Sequence, residues 1–276
     1  MREIRFDVEG ESVAGSLHEP AGEPRGQIVM VHGFLSQRIE FADAPLRLAE
    51  KGWRTLAIDQ RGFGASGGAR GIFTQERATA DTVGAVDWLR ASSRAPVGLV
   101  AHSMGAVFGI NALAQDSDIK AAVLAAPMRS VRAELKDAEF LGYRVANAIS
   151  RAKSKVGMGA LVVPYKNRYP NLFRDPEAAR RAEEANFLSK SVSLGNYDAL
   201  LAMDSAKVAP RVKQPALVIL AQYDKAVQNK NSREVFDALG GPKELVTLAC
   251  GHSMFGDCEA AAAVENVDRW MGQHLR

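Results

Sequence analysis

Apolar and polar positions near the start of the chain alternate one by one. Residues 3–8 and 12–19 each place charged and apolar side chains on opposite sides of an extended chain, with Glu9-Gly10-Glu11 between them. A period of two broken by a glycine turn predicts a half-buried antiparallel hairpin. Residues 20–26 form a polar Pro/Gly loop, and then the rhythm changes. Residues 27–31, 55–58, 97–101 and 121–126 are short, nearly continuous apolar runs, the pattern of strands buried on both faces. Between them, residues 41–51, closed by Gly52, and 74–91, with Val83, Val86 and Leu89 along one side, repeat at the helical period. Strand and helix alternate about five times through short loops. This predicts an α/β fold with a mostly parallel central sheet and helices on both faces.

The alternation stops at residue 128. Helical segments run near 131–154, 176–189 and 196–203, and no buried apolar run returns until 216–221. A stretch of this length is far too long for a simple connection. It predicts an inserted helical cap over the strand edge, dividing the chain into an α/β core of residues 1–127 and 214–276 and a cap of residues 128–213. Beyond it the pattern gives a strand at 216–221, a helix at 232–239 ended by Gly240-Gly241, a strand at 243–248 and a terminal helix at 259–274.

In open parallel sheets, reactive groups lie beyond the carboxyl ends of the strands. His32, Asp59 and Ser103 all occupy such ends. Residues 97–110 read V-G-L-V-A-H-S-M-G-A-V-F-G-I, a strand running into a helix with Ser103 between. This is the pattern of a nucleophile elbow, a tight turn that lifts a serine Oγ above the sheet edge; the plainer alternative makes Ser103 a helix N-cap. A serine hydroxyl needs a base in contact, and the base needs a third group to fix its tautomer. Among five histidines, His252 follows a late core strand in a glycine-containing loop and is the candidate base. His32 begins the turn that must carry an oxyanion donor. His102 adjoins Ser103, so its ring points away from that hydroxyl and toward the pocket wall. His18 lies on an N-terminal strand and His274 in the tail. Asp224, at the end of the 216–221 strand, is the candidate acid, with Asp198 and Asp204 inside the cap helices as alternatives. The backbone N–H groups of Phe34 and Met104 are the candidate oxyanion donors, and Phe34 and His102 the candidate pocket residues. Asp59, Arg61 and the glycines at 62, 64, 67 and 68 shape their loop.

Composition narrows the function. The 276 residues are 47% hydrophobic and 24% charged, with a net charge of +3, ordinary for a globular protein. No basic run is interleaved with aromatics and no zinc-type Cys/His spacing occurs, so neither nucleic acid nor a metal is expected. The N-terminus lacks the apolar segment of a secretory signal, and no apolar run reaches membrane-spanning length. Two cysteines fit a reducing cytoplasm; Cys250 and Cys258 flank His252, and a disulfide there is the alternative. Charge is uneven: residues 128–213 hold 16 Lys+Arg against 9 Asp+Glu, or +7, leaving −4 for the remainder. These charges are solvated helix faces or attract an anionic substrate or surface.

The residues His32-Gly33-Phe34, Asp59-Gln60-Arg61-Gly62-Phe63-Gly64-Ala65-Ser66, Ala101-His102-Ser103-Met104-Gly105, Asp224 and Gly251-His252, in this order, closely resemble the α/β-hydrolase superfamily. Within it the chain is similar to the capped serine hydrolases grouped around monoacylglycerol lipases, lysophospholipases and serine aminopeptidases. Ala101 stands where that family usually has glycine. The resemblance implies a cofactor-independent serine hydrolase in which Ser103 attacks, His252 is the base and Asp224 orients it. The expected substrate is a small acyl compound, an ester or thioester. Acyl transfer, amide or peptide cleavage, and a non-catalytic ligand receptor on the same fold are the alternatives, and oligomeric state is left open.

Overall fold

The computed structural model describes residues 1–72, 74–116, 118–155, 162–164, 169–194 and 197–275. Eight strands form one sheet. In chain order they are β1 (Arg2–Val8), β2 (Glu11–His18), β3 (Gly26–Val31), β4 (Trp53–Asp59), β5 (Val97–His102) and β6 (Ile119–Ala125), then β9 (Ala216–Ala221) and β10 (Lys243–Leu248). Between β6 and β9 lie the three-residue strands β7 (Val162–Pro164) and β8 (Ser191–Ser193), which pair only with each other. The sheet order is β1-β2-β4-β3-β5-β6-β9-β10. Within it β1 and β2 pair antiparallel, as do β2 and β4, and the other five pairings are parallel; β7 and β8 pair antiparallel. The predicted α/β architecture is therefore the observed one.

The helices of the core are α1 (Ala44–Glu50), α2 (Gln75–Ser92) and α3 (Gly105–Gln115). The segment between β6 and β9 adds α4 (Val131–Glu134), α5 (Asp137–Lys155), α6 (Tyr169–Leu172), α7 (Pro176–Ala185), α8 (Tyr197–Ala202) and α9 (Ser205–Val208). α10 (Asn229–Ala238) and α11 (Ala260–His274) close the chain. The expected helix at 41–51 is shorter than its pattern, because a 3-10 turn at Arg38–Phe41 precedes it and Pro45 starts the helix proper. The expected 131–154 helix is split into α4 and α5. The β7–β8 pair had no sequence signature, since three-residue strands are too short to show a period. Part of the expected 196–203 helix lies outside the described residues.

Alternation along the strands builds two cores. On β5, Leu99 and Ala101 face one side with Val86, Leu89 and Ile110 of α2 and α3. Val100 faces the other, with Leu48 of α1 and Val264, Val267 and Met271 of α11. β3, β4, β5 and β9 are buried along their whole length, and β6 at every residue but Lys120, as expected for strands covered on both faces. A third cluster lies beyond the carboxyl edge, where Leu35, Met104, Val107 and Phe108 meet Val192, Leu194, Leu200 and Met203 of the 128–213 segment.

The crossing of β5 and α3 explains Ala101. A Cβ on Gly109 would lie 2.9 Å from the Ala101 methyl and 3.0 Å from Leu99 Cδ2, and one on Gly105 would lie 2.5 Å from the Val31 and His32 carbonyl oxygens. Gly109 thus makes the room that the Ala101 methyl occupies. Gly109→Ala is expected to cost about 1–3 kcal/mol by overpacking, and Ala101→Gly in the same chain to recover part of it. Urea unfolding of both single variants and the double variant measures the coupling; additive costs would mean the two positions do not share this space.

Candidate active site

Ser103 sits between β5 and α3 with φ +56°, a left-handed conformation that side chains other than glycine adopt at a cost of about 1–3 kcal/mol. Its N–H donates to Ala125 O at 2.8 Å, and its carbonyl accepts from Met128 N–H at 3.1 Å. The end of the neighbouring strand β6 and the residues just beyond it therefore hold the strained turn. Gly33 lies against it: a Cβ there would sit 3.0 Å from Ser103 Cβ and 3.5 Å from Oγ. Met104 is the N-cap of α3, so the helix begins immediately after the serine and presents its positive end beside the hydroxyl.

His252 comes from the loop after β10 and Asp224 from the loop after β9. His252 Nε2 lies 2.9 Å from Ser103 Oγ, and His252 Nδ1 lies 2.7 Å from Asp224 Oδ2. Asp224 Oδ1 accepts the N–H groups of Ala226 and Val227, both at 2.8 Å. Burial pushes the Asp224 carboxyl up, but the adjacent His252 and these two N–H donors outweigh it and hold its pKa below the usual value. An ionised carboxylate accepts only, so Nδ1 carries the imidazole proton and Nε2 offers its lone pair to the Ser103 hydroxyl. The structure thus brings Ser103, His252 and Asp224 into one hydrogen-bonded chain. Asp204 lies elsewhere, capping α9 and facing Arg129, and the Asp198 side chain falls outside those described.

Behind this chain lies a second one that the sequence did not signal. Glu40 Oε1 accepts the Gly33 N–H at 2.9 Å and stands 3.0 Å from His102 Nδ1. His102 Nε2 stands 3.0 Å from the carbonyl oxygen of His252, so that nitrogen donates. The His102 and His252 rings lie 4.7 Å apart. Burial opposes charge on both partners, yet each is held in its charged form by the other: the Glu40 pKa is lowered and that of His102 raised. The pair is an imidazolium–carboxylate bridge joining the turn at Gly33 to the backbone of His252. His32 completes the support, accepting Gln60 N–H at Nε2 and donating from Nδ1 to Gly33 O. Asp59 ties the 33–38 turn to the glycine loop through Arg38 N–H and Ala65 N–H. Arg61 is buried against Asp81, Glu9 and Glu11.

The 128–213 segment is fastened over this edge by carboxylates. Asp257 accepts the N–H groups of Arg174 and Asp175, each at 2.9 Å, and of Gly251 at 2.5 Å. Glu134 accepts Gln228 N–H at 2.9 Å and Asn231 Nδ2 at 2.8 Å. Ser253 N–H donates to Leu172 O, and Ser189 N–H to Leu35 O. Beneath lies a cavity of about 150 Å³ bordered by Ser103, His252, His102 and Glu40, with Phe34, Met128, Leu172, Phe187, Leu188 and Val227 as its apolar wall. No Lys or Arg is among its described lining residues. Cys250 is buried, its thiol pushed up to about 12 by burial, and Cys258 is exposed. Both are free thiols; no disulfide forms beside His252. Among the described residues, no group of three or more His, Cys, Asp and Glu is placed to hold a metal ion.

Residues 22–266 match the family described as serine aminopeptidase, S33. A 31.7 kDa uncharacterized protein of the traX-finO intergenic region of Escherichia coli is 25% identical over 290 residues, covering 96% of this chain and 97% of that one. The monoacylglycerol lipase of Mycolicibacterium smegmatis is 24% identical over 283 residues, covering 97% and 95%. Among solved structures, the α/β hydrolase GrgF from Penicillium superposes with a TM-score of 0.85 at 19% identity, covering 99% and 98%.

The Glu40–His102 bridge makes stability depend on pH. The folded pKa of His102 is raised above its ordinary 6.5. Its contribution is therefore complete below that value and is lost as pH rises through the folded one. The Glu40 pKa is lowered from 4.5, so its contribution is present above that value and is lost as pH falls through the folded one. The bridge stabilises fully between these two ordinary values, and the thermal midpoint is expected to fall as pH is raised into the alkaline range. Glu40→Gln, which keeps an acceptor for the Gly33 N–H, is expected to flatten that decline; circular-dichroism melts of both proteins across pH check it, and equal slopes would discard the bridge.

Proposed function

Because this chain belongs to the serine aminopeptidase S33 family of hydrolases, we propose that it is a serine hydrolase cleaving uncharged carboxylic esters through an acyl-enzyme on Ser103. The observation that carries this reading is the unbroken Ser103–His252–Asp224 hydrogen-bond chain, at 2.9 and 2.7 Å, opening into an apolar cavity. Residues 128–213 serve as its cap.

The reaction follows from the proton positions. Ser103 Oγ attacks the substrate carbonyl carbon, the π electrons move to the carbonyl oxygen, and the hydroxyl proton passes to His252 Nε2. Asp224 keeps the Nδ1 proton and stabilises the imidazolium, whose charge it opposes. The N–H groups of Met104 and Phe34 receive the oxyanion, with the N-terminal end of α3 favouring its charge. The intermediate collapses, expelling the alcohol with the proton from Nε2. Water then attacks the acyl-enzyme, gives a proton to Nε2 and releases the carboxylic acid as Oγ regains its hydrogen. A thioester follows the same course with a thiol leaving.

The lining favours an ester over a peptide. An aminopeptidase needs an acidic group to hold the substrate's α-ammonium. Among the described lining residues the carboxylate is Glu40, which is already taken by His102 and the Gly33 N–H. The apolar wall of Phe34, Met128, Leu172, Phe187, Leu188 and Val227 suits an uncharged acyl group. Capture of the acyl group by an alcohol, amine or thiol in place of water uses the same intermediate, and product analysis with an added acceptor separates the two outcomes.

Ser103→Ala is expected to lower kcat on a short uncharged ester by roughly three or more orders of magnitude, and Asp224→Asn by about four, through the wrong imidazole tautomer. Steady-state kinetics, with fluorophosphonate labelling mapped to Ser103 by mass spectrometry, make the test. Turnover by Ser103→Ala close to that of the parent protein would end this reading.

A further inference from the structure

Helix α5 (Asp137–Lys155) is oriented against the usual rule. Its aliphatic residues Leu141, Val145 and Ile149, spaced four apart, are 62%, 54% and 51% exposed, and the exposed alanines at 148 and 152 fill the same stripe. The side packed on protein is the polar one: Asn147 and Ser150 are buried, with Tyr143 and Ala146 half-buried beside them. A helix bordered only by water carries the opposite arrangement, apolar in and polar out. The outward stripe is therefore built for an apolar surround.

The flanks specify which one. At 100° per residue, Arg144, Arg151 and Lys155 border the stripe on one side and Lys153 on the other. The acids of this helix, Asp137 and Glu139, are confined to its first turn. There Asp137 pairs with Arg132, and Glu139 accepts Lys136 N–H. An aliphatic stripe edged by bases is the composition that lies flat in a bilayer interface, with alkyl groups at the headgroup–acyl boundary and cations among anionic headgroups. A stable protein interface buries about 800 Å² on each partner, more than three aliphatic side chains and two alanines offer. No helix among the described residues is long and apolar enough to cross a membrane.

We propose that the outward face of α5 is a docking surface for an anionic lipid bilayer. On the opposite face, Tyr143 and Ala146 belong to the apolar cluster that also holds Phe34, Met104 and Met128, and Phe34 and Met128 line the cavity. The inference rests on exposure and charge and stands whatever reaction the cavity performs.

The test is co-sedimentation of the full chain with vesicles of phosphatidylcholine alone and of phosphatidylcholine mixed equally with phosphatidylglycerol. Binding to the anionic vesicles is expected, weakened by salt, with little to the neutral ones. The triple change Leu141→Ser, Val145→Ser and Ile149→Ser is expected to lower the bound fraction about tenfold or more while leaving turnover of a soluble ester and the thermal midpoint unchanged. Arg144→Gln with Lys153→Gln and Lys155→Gln is expected to remove the preference for anionic lipid. Absence of binding to either vesicle, or binding that the triple change does not alter, would overturn the proposal. So would a dimer in sedimentation velocity that the triple change dissolves, since the stripe would then belong to a second copy of the chain.

Discussion

The site depends on one steric constraint: a strand and a helix must cross closely enough to push a serine out of the sheet edge. Ser103 holds a left-handed backbone at φ +56°, which costs free energy and persists only where the surroundings over-determine it. Here they do. Gly105 lets the helix start against the Val31 and His32 carbonyls, Gly109 makes room for Ala101, and Gly33 brings the neighbouring turn against the serine. The strain is local, whereas the packing that enforces it extends through both faces of the sheet.

Around that turn the molecule uses buried charge to fix position. Removing an imidazolium and a carboxylate from water costs several kcal/mol per ion before their attraction offsets it, and such pairs are often near neutral for stability. The Glu40–His102 pair is better understood through its outer contacts, Gly33 N–H on one side and the His252 carbonyl on the other. Both belong to the loops that carry the candidate oxyanion donor and the candidate base. Asp59, Asp257 and Glu134 act in the same manner, each accepting two or more donors from loops that are distant in sequence. Carboxylates suit this work because one group can accept several backbone N–H donors at once.

Period and strand-end position carried most of the architecture in the sequence. The buried runs read as strands, their order gave a mostly parallel sheet, and the groups at their carboxyl ends were those that converge. Glu40 was illegible because its partner is 62 residues away and its own neighbours read only as the approach to a helix. Asp257 and Glu134 were hidden in a similar way: the partners of Asp257 and one partner of Glu134 are backbone N–H groups, which have no sequence signature, and the other partner of Glu134, the Asn231 side chain, is 97 residues away. The possible Cys250–Cys258 disulfide shows the converse failure, since proximity in sequence said nothing of the burial that separates one thiol from the surface. β7 and β8 were too short to generate a pattern at all.

The 128–213 segment exposes a different limit of periodicity. A helical period identifies two unlike faces but does not say which one meets protein. For α2 and α3 the ordinary rule applies, and the apolar residues lie in the core. For α5 it fails, because the inward side is committed to Tyr143, Asn147 and Ser150 over the third cluster while the aliphatic stripe is left outside. The bases of α5 follow the same division. The cavity's described lining holds no Lys or Arg, whereas Arg144, Arg151, Lys153 and Lys155 edge the outer stripe. On α5, charge and apolarity thus lie together on the outer side. On α5 the aliphatic stripe and its flanking bases occur together, and a surface that is at once anionic and apolar matches both features.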